Sequence, residues 1–504
     1  MDLTAAASGA RASGRLPLTV QVLAWLLSFA VYGAYYQGQW VYGEQPIFNI
    51  TGDEPHYLTI AVSMVRDGDL DVLNNYRDKE YTAFYPSHLG DTRDAEDMHA
   101  LYGRGGGLYS KHGFGLPLLL APAMRLGGHG AGIVLMLAVT ALASVLTLRL
   151  ALACSNRRWP AVLAWLAVAF SPPLLLYAPL FYPEVAGAAC SVVLAHALLV
   201  AWRERRLRTG IALAAGVALG VLPWLHLRYL PIAGMFAAGL ALAWWRSGRN
   251  GTAAATLFGV PAAAGVALLA LDWRLFGGVP AVGEYGAVGL AQALTGAPGL
   301  LLDRQFGLLP YGPVYLLGLG GIALLPRAIG KAPAALLLLP VVAYAGFIAC
   351  FSYWYGAFSP PARMLVPVAP LLVAPLVAGL AAAPHWAWLY AMLCTLTAAQ
   401  ARLLLDVPRL RYNQADGQSA VLEHLSATWG RDVTGWLPSF VAPTAGSYVW
   451  TAVASLVAAG LLVALARIDL TPNPSPARRG GVRLPATWRP SWVIALRSRL
   501  LGVR

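Results

Sequence analysis

Phe114–Leu126 reads FGLPLLLAPAMRL, and how it is counted decides how the rest of the chain is threaded through a bilayer. A spanning helix needs roughly 20 apolar residues, so this run is too short to cross comfortably. It reads instead as a helix lying at the interface or dipping into it. Counted as a full span, it would move Arg157/Arg158 and Arg203, Arg205, Arg206 and Arg208 to the opposite side. That would break the bias that gathers Lys and Arg on the cytoplasmic face.

The chain around it belongs in lipid. Of 504 residues, 58% are hydrophobic and only 12% are charged, where a soluble protein has about 25% charged residues. The expectation is an all-α polytopic membrane protein of about twelve transmembrane helices, within 11 to 13, at the roughly 20 residues each that a bilayer asks. The spans fall near 16–36, 131–153, 160–180, 185–202, 209–226, 229–246, 252–275, 307–326, 332–351, 363–382, 385–404 and 446–467. Residues 16–404 form the main membrane module and 446–467 a last helix. Arg11 and Arg15 precede Leu16–Tyr36, which reads as an uncleaved signal anchor.

A net charge of +13 raises nucleic-acid binding first. Here the cations sit in short links between apolar runs, including Arg149/Arg157/Arg158, Arg203–Arg208, Arg246/Arg249 and Arg327/Lys331, so the charge reports topology. With residues 1–15 cytoplasmic, all of these links fall inside, as does the basic, Pro- and Gly-rich tail 468–504, which reads as disordered. In a bacterium this is an inner-membrane protein with both termini cytoplasmic. The external face receives loops 37–113, 276–306 and 405–445 and short links at Phe181–Glu184, His226–Arg228 and Phe351–Ala362. Loop 37–113 alone holds twelve of the 23 acidic residues and is expected to carry juxtamembrane helices. The four cysteines form no CxxC and report no redox compartment.

The acidic loop opens with Thr51–Leu73, TGDEPHYLTIAVSMVRDGDLDVL. Pro55 suits the first turn of a helix, and Tyr57, Leu58, Ala61, Met64 and Val65 recur at helical spacing. Asp53 and Glu54 therefore stand at a helix start. They read either as helix-capping acids or as a carboxylate held at the membrane–water boundary to act as a general base on an acceptor hydroxyl. Asp69-Leu70-Asp71 is a DxD pattern that reads as turn residues beside Gly68 more readily than as a metal site. His56, His88, His99 and His112 share the loop without the helical spacing of a zinc motif, and no metal is expected. The run Gly103–Gly107 reads as a turn before Lys111 and His112, where a phosphate could be met; a solvated loop charge is the other reading of Lys111.

Further along, Glu184 in FYPEVAG is a carboxylate at a span end, open to a functional or a capping role. Arg228, after His226 in PWLHLRYLP, is an external cation against the charge bias, suited to an anionic ligand or to snorkelling. Arg363 ends the aromatic, Pro-rich turn Tyr353–Ala362, and its planar fork suits phosphate.

In this order, TGDEPHYL with RDGDLDVLNNY, then GLYSKHGFGLPLLLAPAMRLGG, SPPLLLYAPLFYPEVAGA and YWYGAFSPPARMLVPVAP, the chain resembles the GT-C superfamily of membrane glycosyltransferases, including protein O-mannosyltransferases and lipid A aminoarabinose transferases. The resemblance covers roughly residues 16–400. It departs at Gly113-Phe114, where many relatives carry Pro-Pro, and at Pro360-Pro361-Ala362-Arg363, where Gly-x-Arg is commoner. It implies a GT-C-type helical bundle and inverting transfer of a sugar from a polyprenyl-phosphate donor to an envelope lipid, glycan or protein, without a cofactor. It also implies catalytic roles for Asp53, Glu54 and Glu184, and donor-phosphate binding by Lys111, His112, His226, Arg228 and Arg363. His56, Tyr57, Tyr353, Trp354 and Tyr355 are the implied sugar or acceptor contacts. The alternative is a transporter or flippase of lipid-linked sugars. Such proteins place ionisable groups at mid-membrane on repeated, broken helices, whereas here charges cluster at one face and no internal repeat is seen.

Overall fold

Long apolar runs leave the backbone no partner but itself in lipid, so they fold as helices. The computed structural model of the protein describes residues 16–37, 50–85, 98–155, 157–279 and 287–466. The expectations for 1–15 and 468–504, and those resting on His88, lie outside them. Among the described residues, seven helices are long and apolar enough to cross a membrane, and five shorter apolar helices accompany them. The protein is an all-α polytopic membrane protein, and the one sheet among the described residues is a two-stranded hairpin.

The first span is α1 (Leu18–Gln37), followed outside the span by the amphipathic α2 (Glu54–Arg66). A hairpin comes next, β1 (Ala100–Tyr102) and β2 (Leu108–Ser110), with Ala100 opposite Ser110. The long α3 (Gly115–Ala153) contains the stretch that decides the topology. Its backbone leaves helical geometry at Gly127 and Gly128, which separates the 115–126 segment from the span that follows. Then come α4 (Arg158–Ala169), α5 (Pro183–Glu204), α6 (Thr209–Leu225) and α7 (Leu230–Trp245). The helical run Gly251–Phe276, α8, buries few of its residues and exposes large apolar side chains, including Val266, Leu269 and Trp273. Exposed apolar surface on that scale is surface for lipid. The chain continues through α9 (Ala293–Leu302), α10 (Tyr315–Gly321), α11 (Lys331–Ala349), α12 (Val373–Ala382), α13 (Ala387–Asp406), α14 (Ala420–Trp429) and α15 (Ala445–Ala466).

α3 packs along α5, α2 and α1, and α5 also packs on α6 and α7. This brings the starts of α2, α3, α5 and α7 and the end of α6 to one end of the bundle. At the other end the basic links meet: Arg203 donates to the Ala153 carbonyl, Arg246 lies 4.1 Å from the Trp202 ring, and Arg157 reaches the Ala381 carbonyl at 3.2 Å. Charge is therefore segregated along the bundle, as the basic links suggest.

Three spans read from hydropathy are not single helices. Residues 307–326 break into short helices at Leu308–Tyr311 and Tyr315–Gly321, because Gly312 and Pro313 interrupt the ladder. Residues 160–180 stop at Ala169 before Pro172-Pro173 and resume as the short turn Leu174–Tyr177. Residues 363–382 begin as two 3-10 turns and become α-helical only at Val373. The external loop read at 276–306 holds α9.

Loop 405–445 is pinned from 303–306. Asp303 accepts from the Gln305 and Phe306 amides at 2.8 and 3.0 Å and from the Phe440 amide at 2.6 Å. Arg304 donates to the Gly417 and Thr434 carbonyls at 2.6 and 2.8 Å. These two residues, without a role in the sequence reading, are structural anchors.

Candidate functional site

Four charged side chains from four distant segments meet at the acidic end of the bundle. Asp53 stands at the N-cap of α2 but makes no side-chain capping bond. Its Oδ2 accepts from Arg363 Nη2 at 2.5 Å. Arg363 Nε donates to Glu184 Oε1 at 2.7 Å, and the same oxygen accepts from Arg228 Nη2 at 2.6 Å. Arg363 Nη1 donates to the Gly356 carbonyl at 3.1 Å, and its guanidinium lies over the Tyr182 ring at 4.3 Å. The order is Asp53–Arg363–Glu184–Arg228, two carboxylates alternating with two guanidiniums.

Glu184 is fully buried in the first turn of α5, behind Tyr182-Pro183. Its second oxygen and Arg228 Nε are both buried without a hydrogen-bond partner. An orphaned buried donor or acceptor costs roughly 1–3 kcal/mol, and such groups mark places where function outweighs stability. Asp53 is different, since about a fifth of its side chain is open to solvent (21%). Of the two carboxylates in this cluster, it is the one that an incoming molecule can touch.

Glu54, grouped with Asp53 as catalytic in the sequence reading, has another task. One of its oxygens accepts from the Thr51 amide at 3.1 Å and the other from the Phe181 amide at 2.8 Å. With 1% exposure it ties α2 to the segment before α5 and is closed to substrate. Burial pushes its carboxyl up to about 8, against the pull of the two amides and Arg363. For Asp53, burial also raises the pKa, but the Arg363 guanidinium outweighs it and holds the carboxyl below the usual range.

The hairpin supplies the other wall. Gly103–Gly107 forms its turn, and Arg104 there lies 5.4 Å from the Trp273 ring at the end of α8. Asp71 fastens it by accepting from the Leu108 amide at 2.9 Å, while Asp69 accepts from the Asp71 amide at 3.1 Å. The DxD pair is thus a turn and an anchor. The two hairpin ends carry His99 and His112, with His99 Nδ1 3.1 Å from His112 Nε2 and 3.7 Å from Asp53 Oδ1. His56 stacks on His99 at 4.1 Å and its Nδ1 meets Tyr76 Oη at 2.6 Å; Tyr57 lies 4.6 Å from the His112 ring. Both are buried, so they support the histidine pair from behind rather than facing a sugar.

Burial, joined by nearby positive groups, keeps two residues expected to hold phosphate neutral. His112 is brought down to about 3 and His226 is well below the ordinary histidine value. His226 Nδ1 accepts the Arg228 amide at 3.1 Å, which sets the turn into α7. Lys111 links the hairpin ends through its amide to the His99 carbonyl at 2.7 Å. In the aromatic turn, Tyr353 is half exposed and Trp354 is buried; Tyr355 packs edge-on to Trp354 at 5.5 Å.

The sequence reading named His99 only among the loop histidines and gave neither it nor Tyr182 a place in the site. Tyr182 stands two residues before Glu184, so its position next to the site was readable. His99 carried no local signal, because only the hairpin brings it to Asp53.

Gly52 permits the close approach on which Asp53 depends. Its φ is +60°, and a Cβ would come within 2.6 Å of Tyr182 Oη and 2.9 Å of the Phe358 carbonyl. Only glycine takes that conformation in that space.

No protein-family model and no curated protein sequence matches the chain. Among solved structures it is similar to ArnT from Cupriavidus metallidurans in the apo state, at 16% identity over 88% of this chain and 74% of that one, with a TM-score of 0.49. It is also similar to the Archaeoglobus fulgidus oligosaccharyltransferase in the apo form, at 15% identity over 78% of this chain and 54% of that one, with a TM-score of 0.43. The same oligosaccharyltransferase in complex with Zn and sulfate gives 14% identity, 82% and 55% coverage and a TM-score of 0.42. Each likeness is one of overall helical fold, and the site described above stands on its own geometry.

Proposed function

We propose that the protein is an integral-membrane glycosyltransferase that moves a sugar from a polyprenyl-phosphate donor to an envelope acceptor at the external face. What carries the reading is the solvent-reachable Asp53 carboxylate held 2.5 Å from Arg363, itself one of two buried guanidiniums sharing Glu184. That is an acid–base group beside an anion clamp, at the end of the bundle where α3, α5 and α7 begin.

In this mechanism the donor phosphate engages Arg363 and Arg228, whose Nε is an unused buried donor. Phosphate and Asp53 then compete for Arg363. Loosening that pair restores basicity to a carboxylate that Arg363 otherwise holds down. Asp53 takes the proton from the acceptor hydroxyl as its oxygen bonds to the anomeric carbon. The carbon–oxygen bond to phosphate breaks, and its electron pair leaves on the lipid phosphate, stabilised by the two guanidiniums. Configuration inverts. Glu184 is a positioning residue, holding both guanidiniums in register. Lys111 and the half-exposed Tyr353 flank the site as donor and acceptor contacts, with the buried Trp354 behind them.

The test uses purified full-length protein with polyprenyl-phosphate sugars and an envelope lipid extract. Asp53→Asn should cut product formation by about 10²- to 10⁴-fold while leaving donor binding within a few-fold. Product formation at the wild-type rate would remove Asp53 as the base. Movement of donor across liposomes without bond formation would replace the reading with that of a flippase.

A further inference from the structure

We propose that Arg411 forms a second anion site, separate from the Asp53–Arg363–Glu184–Arg228 cluster, that holds the headgroup phosphate of a membrane glycerophospholipid. Arg411 closes the short 3-10 turn Pro408–Arg411 after α13 and is only 6% exposed. Its Nε donates to the Leu404 carbonyl at 2.7 Å, and its guanidinium lies 5.1 Å from the Tyr35 ring near the end of α1. Its Nη2 is buried without a hydrogen-bond partner.

A missing counter-charge sets this arginine apart. Arg363 is as deeply buried, but Asp53 and Glu184 balance it. The carboxylates closest to Arg411 in sequence are committed elsewhere. Asp406 Oδ2 accepts from Arg402 Nε at 2.8 Å, and Asp416 Oδ1 accepts from Gln305 Nε2 at 2.9 Å and from the Gln418 amide at 2.8 Å. Burial lowers the pKa of Arg411, and the neighbours that oppose it are two tyrosines, Tyr35 and Tyr412, with no carboxylate among them. Buried charges are paired in folded proteins, so the partner of Arg411 comes from outside the chain.

Position identifies that partner. Tyr35 Oη donates to the Ala401 carbonyl at 3.3 Å, which joins α1 to α13 at the acidic end of the bundle. Both helices turn apolar side chains outward, Leu23, Leu26 and Leu27 on α1 and Trp388, Met392 and Leu396 on α13. That is surface for acyl chains. Arg411 stands just beyond the ends of both helices, at the level of a headgroup layer, where tyrosine is also at home. Arg402, Arg409 and Arg411 all lie at this end, against the bias that gathers cations at the other. With Nε committed to the protein, the fork of Nη1 and Nη2 remains, and its planar geometry matches two oxygens of a phosphate.

Binding is measured on the delipidated, detergent-purified full chain by native mass spectrometry, with no sugar donor or acceptor present. The outcome is therefore independent of any transfer activity. Added phosphatidylglycerol should bind as one tight equivalent and raise the melting temperature. Arg411→Gln should weaken that equivalent at least about tenfold, the worth of a hydrogen bond to a charged group. Arg409→Gln, which removes an exposed neighbouring charge, should keep it, and so should Arg363→Lys at the donor clamp. Should Arg411→Gln not fold, Arg411→Lys keeps the charge, loses the fork and should still weaken the lipid several-fold. An equal thermal shift from inorganic phosphate would make this a free-anion site, and an equal shift from diacylglycerol would assign the binding to apolar contact. Either result overturns the lipid-phosphate site, as does unchanged lipid binding by a folded Arg411 variant. Loss of the lipid in Arg363→Lys would place it at the donor clamp and overturn a second site.

Discussion

Arg363 Nη2 donates to Asp53 Oδ2 across 2.5 Å, joining residues 310 positions apart in the chain. The pair places an ionised carboxylate at the edge of the membrane and keeps it ionised. It also makes that carboxylate a weak base for as long as the guanidinium stays. In the proposed reaction, substrate must therefore alter the pair before proton transfer. Asp53→Asn should lower transfer by about 10²- to 10⁴-fold, the usual worth of a positioned acid–base group, with the donor KM changed little. Steady-state kinetics with the purified enzyme checks the split.

Arg363→Lys keeps the charge and loses the fork. A lysine cannot span Asp53, Glu184 and the Gly356 carbonyl together. Donor KM should rise, and the acid limb of the pH–rate profile should move upward as Asp53 loses the partner that holds its pKa down. A pH–rate series on the variant and wild type reads both effects.

Glu184→Gln leaves two buried guanidiniums with one carboxylate fewer. Removing one partner of a buried ion pair costs about 3–5 kcal/mol. The expected result is a markedly lower unfolding temperature in detergent, with Arg228→Leu in the same background restoring part of the loss. Thermal melts of the three proteins decide it.

Glu54 gives stability a pH slope of defined sign. Its folded pKa, about 8, lies above its unfolded value of 4.5, so the folded state holds the extra proton between them. Stability contributed by this group is complete at low pH and declines as pH rises from about 4.5 to about 8, by up to ~1.4 kcal/mol per pH unit. Melting temperatures across that range should fall less steeply in Glu54→Gln than in the wild type.

Gly52→Ala tests the approach of α2 to the rest of the site. The added Cβ meets Tyr182 Oη at 2.6 Å and the Phe358 carbonyl at 2.9 Å, on a backbone with φ +60°. We expect a loss of about 1–3 kcal/mol in stability and a fall in activity larger than that of a surface Gly68→Ala control, whose Cβ meets open space. Calorimetry and transfer rates together separate the two effects.

The membrane class and the two charged ends of the bundle were legible because composition and the placement of arginine are direct records of the bilayer. Glu184, Arg228 and Arg363 were legible as candidates for the same reason, each an ionisable group at the end of an apolar run, and Asp53 as an acid at the start of an amphipathic helix in the acidic loop. Their pairing was not, because partners 44, 179 and 310 residues apart leave no local pattern. Glu54 illustrates the cost. Its neighbour in sequence faces solvent while it turns inward to the Phe181 amide, a difference that only the packing of α2 on α3 sets. The broken segment 307–326 escaped for another reason. Hydropathy averages over Gly312 and Pro313, whereas the hydrogen-bond ladder stops there.

The alternating chain of two carboxylates and two guanidiniums also has a consequence in time. With Asp53 ionised, the four formal charges sum to zero. In the proposed reaction Asp53 gains the acceptor's proton, and the cluster becomes a net cation at the moment the lipid phosphate acquires its second negative charge. The product is then gripped more tightly than the donor was. Departure waits until Asp53 gives up its proton and Arg363 swings back to it. A single proton on Asp53 thus sets the interval between sugar transfer and release of the spent lipid carrier, and turnover should slow measurably in D₂O even where bond formation is fast.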